Sequence, residues 1–415
     1  MKKDVGIITI HYVDNLGGAL LAFALQESIE RMGYNCYVID YDPTHIPSKA
    51  GYLIKSITRR IVRMPLYLRD FRYYFTRLIK NRGIVLPPRH IHSSIGLRKM
   101  RFDSFRYKNI KLSAQHYTSS ESLKESPPQY DAYICGSDQI WNPFICKEPG
   151  RARNDPAYFL TFAPKAKRIS YAPSIALPSI PDEFREEMTE MLQGISYLSS
   201  REKQGAGLIK ELTGRNVAVV LDPTLLLNKN QWNQIAIDPD IKGPYILCYF
   251  LGEGQEYRDF AKQLNKKTGY RLVVISQKSR DLEAWNTINC SEAGPAEFLG
   301  LVKNANCVCT DSYHGTIFSI NFEKPFFVFE RPSSFGTQST ATRIYSILDL
   351  LGLTSRLMKS NMPIPEAPLQ IDYTETKTLL EEERAKSLRY LEDALKHVTH
   401  YGKNTVSGVD KHTHK

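Results

Sequence analysis

The residues best suited to chemistry lie in short polar turns that follow apolar runs. Cys307-Val308-Cys309-Thr310 leads into Asp311-Ser312-Tyr313-His314-Gly315-Thr316, a strand pattern running into a helix start. Asp311 or Ser312 can cap that helix, and Gly315 lets a ligand come close to the backbone. His314 then sits in the first turn, where unpaired amides and the positive end of the helix dipole attract phosphate or carboxylate. An imidazole there can donate a hydrogen bond or a proton, and its structural alternative is a bond to a neighbouring carbonyl. Ser199-Ser200-Arg201-Glu202 occupies the equivalent place earlier in the chain. Arg201 offers a planar fork matched to carboxylate or phosphate, or else a plain surface ion pair. A third strand ends at Cys135-Gly136-Ser137-Asp138, with Trp141 three residues on. Asp138 beside an aromatic suits a base acting on a sugar hydroxyl, while the same residues also suit a turn and a core tryptophan. Leu221-Asp222-Pro223-Thr224 is one more strand end, of the kind where aspartate before proline builds a turn.

Several chemistries lack their motif. No G-x-G-x-x-G follows the first apolar run, no G-x-x-x-x-G-K-[ST] occurs, and no H-E-x-x-H occurs, so nicotinamide, P-loop and zincin readings have no support. The seven cysteines include no C-x-x-C pair, and Cys307 and Cys309 are spaced to share one face of a strand. Buried free thiols are expected rather than a zinc site or a disulfide framework. The net charge of +11 belongs to one segment: Lys55 to Lys111 carries +14 and the remainder −3. That segment interleaves aliphatics with Arg59, Arg60, Arg63, Arg69, Arg72 and Arg77 at helical spacing and matches no nucleic-acid module. It can cover the sheet as a solvated helix, or meet an anionic saccharide or the inner face of a membrane.

These turns need elements to hold them. With 415 residues and 42% apolar usage, the chain is long enough for two or three domains. Val5 to Ile10, the helix-like Ala19 to Met32 closed by Gly33, and Asn35 to Asp40 make a β-α-β opening, whose natural home is a parallel sheet. Ala132 to Cys135, Arg168 to Tyr171, Ile195 to Ser199 and Val217 to Leu221 continue the strands, with helices at Pro181 to Gln193 and Glu202 to Leu212. After a polar linker near Asn233 to Pro244, the alternation restarts. Strands are expected at Tyr245 to Leu251, Arg271 to Ser276, Cys307 to Thr310 and Phe326 to Phe329, with helices at Glu256 to Lys267, Pro295 to Asn304 and His314 to Phe322. The expectation is an α/β protein of two Rossmann-like domains facing a cleft. The first spans residues 1–232 with a basic helical insertion at about 49–111, and the second spans 233–370. A helix at 371–400 and a flexible tail at 401–415 follow. Ligands of such sheets bind beyond the carboxyl ends of the strands, where the polar turns lie. No run reaches the roughly 18 apolar residues that span a bilayer, and the six-residue run Val5 to Ile10 is short for a signal peptide, so a cytoplasmic location is expected.

Taken in order, these pieces resemble the polysaccharide pyruvyl transferase family. The matching stretches are Gly6-Ile7-Ile8-Thr9 with Asn15-Leu16-Gly17-Gly18-Ala19, Gly136-Ser137-Asp138-Gln139-Ile140-Trp141-Asn142-Pro143, Ser200-Arg201-Glu202, Leu221-Asp222-Pro223-Thr224-Leu225-Leu226, and Thr310 to Thr316. The resemblance implies a GT-B-like pair of domains and transfer of a pyruvyl group from phosphoenolpyruvate onto two hydroxyls of a sugar, closing a pyruvate ketal on a surface polysaccharide or its precursor. It implies no metal and no organic coenzyme. Arg201 would anchor the donor's anionic groups, and His314 would bind the donor and give up a proton. The family carries an arginine two residues before that histidine where this chain has Ser312, which leaves Arg331 or Arg343 to supply a second cation. The donor set is then Arg201, Ser312, His314, Gly315, Arg331 and Arg343. Acceptor contacts are expected from Asn15, Gly17, Gly18, Asp138 and Trp141, with Asp138 as the base. The competing readings are a GT-B glycosyltransferase using a nucleotide sugar and a non-catalytic glycan-assembly protein.

Overall fold

The computed structural model describes residues 2–44, 89–145, 152–276, 287–331, 339–359 and 362–401. The aliphatic stretches form strands because they are buried on both faces, as a sheet covered by helices on either side requires. β1 (Asp4–Ile8), β2 (Asn35–Tyr41), β3 (Leu112–Tyr117), β4 (Ala132–Asp138) and β5 (Arg168–Pro173) build the first sheet, with all pairs parallel in the order β3-β2-β1-β4-β5. β6 (Ser199–Ser200) and β7 (Ala218–Val219) pair beside its β5 edge, and an isolated bridge joins Ile169 to Tyr197. Six strands form the second sheet: β8 (Tyr245–Tyr249), β9 (Arg271–Ile275), β10 (Ile288–Asn289), β11 (Cys307–Thr310), β12 (Phe326–Phe329) and β13 (Leu357–Met358). Their order is β10-β9-β8-β11-β12-β13, again all parallel. Counted within each half, both sheets run outward from a central first strand and reverse between that strand and the fourth. This is the doubly wound order whose reversal point opens a ligand crevice. Two Rossmann-like sheets in one chain, with a site between them, make the molecule GT-B-like.

Edge strand β3 escapes a hydrophobic scan because Leu112-Ser113-Ala114-Gln115-His116-Tyr117 buries only Ser113 and Tyr117 fully. Helices at 120–125, 229–233 and 339–350 were likewise not expected; the first two are short, and each carries a capping box, at Ser119 and at Asn228. Cys307 and Cys309 do share one buried face of β11, in a cluster with Cys248, and the six cysteines among the described residues are free. Cys146 lies outside the described residues.

Two helices tie the halves together. Arg89–Asn109 is the described end of the basic insertion, and its arginines grip backbone. Arg98 donates to the carbonyl of Ala293 at 2.8 Å and Arg101 to that of Glu292 at 3.1 Å, both in the second half. Arg106 donates to the carbonyls of His11 (2.9 Å) and Val13 (2.6 Å) and pairs with Asp14 (2.9 Å), all in the turn after β1. Part of the positive charge thus serves as an interdomain clasp, with charge-assisted bonds replacing the water that would otherwise hydrate those carbonyls. Arg59, Arg60, Arg63, Arg69, Arg72 and Arg77 lie outside the described residues, so the reading of that stretch as a saccharide or membrane contact rests on sequence alone.

The C-terminal helix expected at 371–400 spans Thr374–Tyr401. It returns to the first half: the Tyr390 hydroxyl donates to the Ser170 carbonyl (3.0 Å) and Arg384 Nε to the Leu225 carbonyl (2.6 Å), while Ser387 Oγ accepts from the Leu221 amide (2.9 Å). Leu221 and Leu225 flank Asp222, so this helix buttresses one of the polar turns. Among the described residues no helix is long and apolar enough to cross a membrane.

Candidate active site

His314 enters the site because β11 ends at Thr310 and a helix, Tyr313–Asn321, begins at once. Ser312 is its cap, the hydroxyl oxygen accepting from the Gly315 amide at 3.3 Å, so that oxygen is engaged in holding the turn. Gly315 is required for packing: a Cβ there would stand 2.4 Å from Thr310 Oγ1, so the space beside it is filled by the strand end and not left open for a ligand. The chain places His314 against the other half of the molecule. A Cβ on Gly17 would fall 2.0 Å from His314 Nδ1, so the first turn of the helix Leu16–Arg31 abuts the imidazole directly. Asn15 caps that helix through the Gly18 amide at 3.0 Å. Gly17→Ala is accordingly expected to push the ring aside and lower turnover by about 100-fold with the circular dichroism spectrum unchanged, since displacing a reacting group by an ångström costs that much; steady-state assays of the variant check it.

Arg201 follows β6 and is buried, its side chain only 2% exposed. Nη1 donates to Asp222 Oδ2 at 2.7 Å. Nε and Nη2 are buried without a hydrogen-bond partner, the nearest acids being Glu202 Oε2 at 3.8 Å and Asp138 Oδ1 at 4.0 Å. Those two nitrogens form one edge of the guanidinium, a bidentate edge that is buried, faced by two carboxylates and without a hydrogen bond among the described residues, while the opposite corner is fixed. Burial works against the charge on Arg201, but Asp222, with Tyr313, Glu202 and Asp138, outweighs it and raises the pKa above the ordinary arginine value.

Asp222, read from sequence as a turn residue, does two things. Oδ1 accepts from the amide and hydroxyl of Thr224 (3.0 and 2.7 Å), which is the turn. Oδ2 holds Arg201 and lies 3.9 Å from His314 Nε2, which has no hydrogen-bond partner. One carboxylate from the first half therefore sits between the cation of that half and the imidazole of the other. Burial alone would raise the pKa of Asp222, yet Arg201, His314 and the Thr224 bond hold it below the usual aspartate range. For His314, burial pushes the pKa down from its usual value, and Arg201 and Arg343 push the same way against Asp222 and Asp138. Burial thus biases the free imidazole towards its neutral form.

Tyr313, also unmarked in the sequence reading, is a buried plate shared by two guanidinium groups, with Arg201 4.7 Å and Arg343 5.6 Å from its ring centre. Asp138 closes β4 in the left-handed region at φ 65°, and Ala172 and Ala176 near the end of β5 have φ 54° and 51°. The stem of Arg331 faces Gly252, in the turn that Asp311 pins by accepting from the Leu251 and Gly252 amides (2.7 and 2.6 Å). Trp141 corrects the sequence expectation: it is 1% exposed, stacks on Phe159 at 5.4 Å and donates to the Tyr158 carbonyl at 3.1 Å, so it is core and offers no face to a sugar. The structure thus gathers Arg201, His314, Asp138, Asn15, Gly17 and Arg343 with Asp222 and Tyr313, and leaves Trp141 out.

The family model for polysaccharide pyruvyl transferase matches residues 15–333. The chain belongs to that family. The match takes in every residue of the cluster except Arg343, which lies beyond its end. Among solved structures, this polysaccharide pyruvyl transferase family member is similar to a UDP-N-acetylglucosamine 2-epimerase from Rickettsia bellii, at 10% identity and TM-score 0.46, covering 96% of this chain and 98% of that one. It is also similar to the UDP-GlcNAc 2-epimerase of Methanocaldococcus jannaschii (11%, TM-score 0.39, 91% and 98% covered). A third is the ADP-heptose LPS heptosyltransferase II of E. coli (15%, TM-score 0.34, 94% and 100% covered). No curated protein matches the chain.

Proposed function

We propose that this family member transfers the pyruvyl group of phosphoenolpyruvate to two hydroxyls of a sugar in a surface polysaccharide or its precursor. The observation that carries the reading is the meeting, around Asp222 and between the two halves of the chain, of an Arg201 edge and a His314 Nε2 that are buried without a hydrogen bond among the described residues. Phosphoenolpyruvate is a small anion whose methylene carbon must gain a proton before its central carbon becomes electrophilic. The Arg201 edge binds one anionic group of the donor side-on. The donor's negative charge reverses the balance that keeps His314 neutral, so the imidazole takes up a proton as the donor arrives and is charged when it is needed. His314 passes that proton to the methylene carbon, a sugar hydroxyl oxygen bonds to the central carbon, and Asp138, partly exposed at the strand end, takes the hydroxyl proton. The carbon–oxygen bond to phosphate then breaks and inorganic phosphate leaves. A second hydroxyl oxygen bonds to the same carbon and closes the ketal, its proton passing to the released phosphate, while Asp138 gives up its proton and His314 regains one by exchange with solvent. Arg201 stabilises the departing charge.

The test is incubation of the protein with phosphoenolpyruvate and a panel of sugar acceptors, following phosphate release and the acceptor's mass. Phosphate release that depends on the acceptor, with one pyruvyl unit gained per phosphate, supports the reading. Turnover of a nucleotide sugar with phosphoenolpyruvate untouched overturns it.

A further inference from the structure

We propose that Arg343 is a second anion-binding cation of this site, sharing the Tyr313 ring with Arg201 so that a donor with two anionic groups is held at both. Arg343 comes from the helix Ser339–Leu350, on the second half of the molecule, whereas Arg201 belongs to the first. It is 8% exposed and its Nε is buried with no hydrogen-bond partner. Its guanidinium lies 5.6 Å from the centre of the Tyr313 ring. Both guanidinium groups lie over that ring, which places their carbons at most about 10 Å apart, within reach of one small ligand.

The two cations differ in what already neutralises them. Arg201 is gripped by Asp222 and flanked by Glu202 and Asp138, so on its own it brings orientation and little surplus positive field. Arg343 touches no carboxylate among the described residues. Burial first and the nearby Arg201 second push its pKa down to about 10, against the weaker pull of Glu202 and Asp138, neither of which makes an ion pair with it among the described residues. A buried charge without a partner is costly, and a site that keeps one is built to be completed by an anion. Ser312 and the Asp311 turn do not fill that role, because both are occupied in holding backbone. The ring that both guanidiniums share offers each a polarisable face while adding no carboxylate that would compete with the ligand.

The inference rests on phosphoenolpyruvate being the donor, and its test separates the two claims. Calorimetric titration of the full chain with phosphoenolpyruvate, and separately with inorganic phosphate, is run on the wild type, Arg343→Gln and Arg343→Lys. The wild type is expected to bind phosphoenolpyruvate far more tightly than phosphate, because only the former can engage both cations. Arg343→Gln is expected to weaken phosphoenolpyruvate by at least about tenfold while leaving phosphate within about twofold, and Arg343→Lys to recover part of the loss. Melting curves accompany each titration; should the glutamine variant fail to fold, the charge-keeping lysine variant carries the comparison, weakening phosphoenolpyruvate and sparing phosphate. Wild-type discrimination retained in full by both variants overturns the role of Arg343 and leaves the donor reading standing. Equal weakening of both ligands also overturns it. A wild type that does not distinguish phosphoenolpyruvate from phosphate overturns the donor reading and this inference with it.

Discussion

Exchange of His314 for glutamine is expected to cut acceptor-dependent phosphate release from phosphoenolpyruvate by roughly 10²- to 10⁴-fold, the range that a positioned general acid contributes. Stability should barely move. His314 Nε2 makes no hydrogen bond among the described residues, its side chain is 11% exposed, and its neighbour Asp222 keeps both Arg201 and Thr224 when the imidazole is gone. Glutamine fills most of the volume that faces Gly17, so the helix start on the first half is not left over a void. The pH profile supplies a second readout. Since burial and two arginines set the free imidazole below its usual value, the wild-type kcat/KM for the donor should fall as pH rises, with the fall beginning below the ordinary histidine pKa of about 6.5. The glutamine variant should lack that limb. Near-normal turnover, or the same limb in the variant, would remove His314 from the chemistry.

That His314 could be found at all shows what sequence carries here. Strand, polar turn and helix follow one another within ten residues from Cys307 to Thr316, so local rules suffice to place the imidazole at a strand end. Arg201 is legible for the same reason, although β6 has only two residues and would be easy to miss without the turn that follows. Asp222 was legible only by half. The Leu-Asp-Pro-Thr pattern announces a turn and the turn is there, but the second carboxylate oxygen bonds an arginine 21 positions earlier and faces a histidine 92 positions later, contacts that no local pattern encodes. Tyr313 hides similarly: a tyrosine beside a histidine on a helix reads as core until two guanidiniums are found over its ring. Trp141 went the other way, since an aromatic near an acid at a strand end fits a sugar platform and a core stack equally, and only Phe159 decides. The final helix was visible by its stripe, but its return to the first half depends on the placement of both sheets.

The largest effect on stability is expected from Arg201→Gln. The guanidinium is the principal partner of a carboxylate that is fully buried, so its removal leaves Asp222 Oδ2 with only the long Ser137 hydroxyl bond (3.5 Å) and no arginine, a change that costs about 3–5 kcal/mol in comparable buried pairs. Donor binding should be lost as well, because the open bidentate edge goes with the side chain. The two losses separate in the double variant Arg201→Gln, Asp222→Asn. An asparagine carbonyl can still accept from Thr224 and carries no charge, so the double variant should recover most of the stability in urea denaturation while remaining unable to bind phosphoenolpyruvate. The sign of the pH dependence distinguishes this account from simple loss of packing. In the wild type the aspartate pKa is lowered by folding, so its contribution is complete above the unfolded value of about 3.9 and is lost as pH falls through the native value. In Arg201→Gln the buried, unpaired carboxylate has its pKa raised instead, so the folded state is favoured only while the group is protonated and loses ground as pH rises through that value. The stability gap between the two proteins should therefore be widest near pH 7 to 8 and shrink towards pH 4. A gap that stays constant across that range, or a double variant no more stable than the single one, would mean that Arg201 and Asp222 do not form the charged hinge of the site.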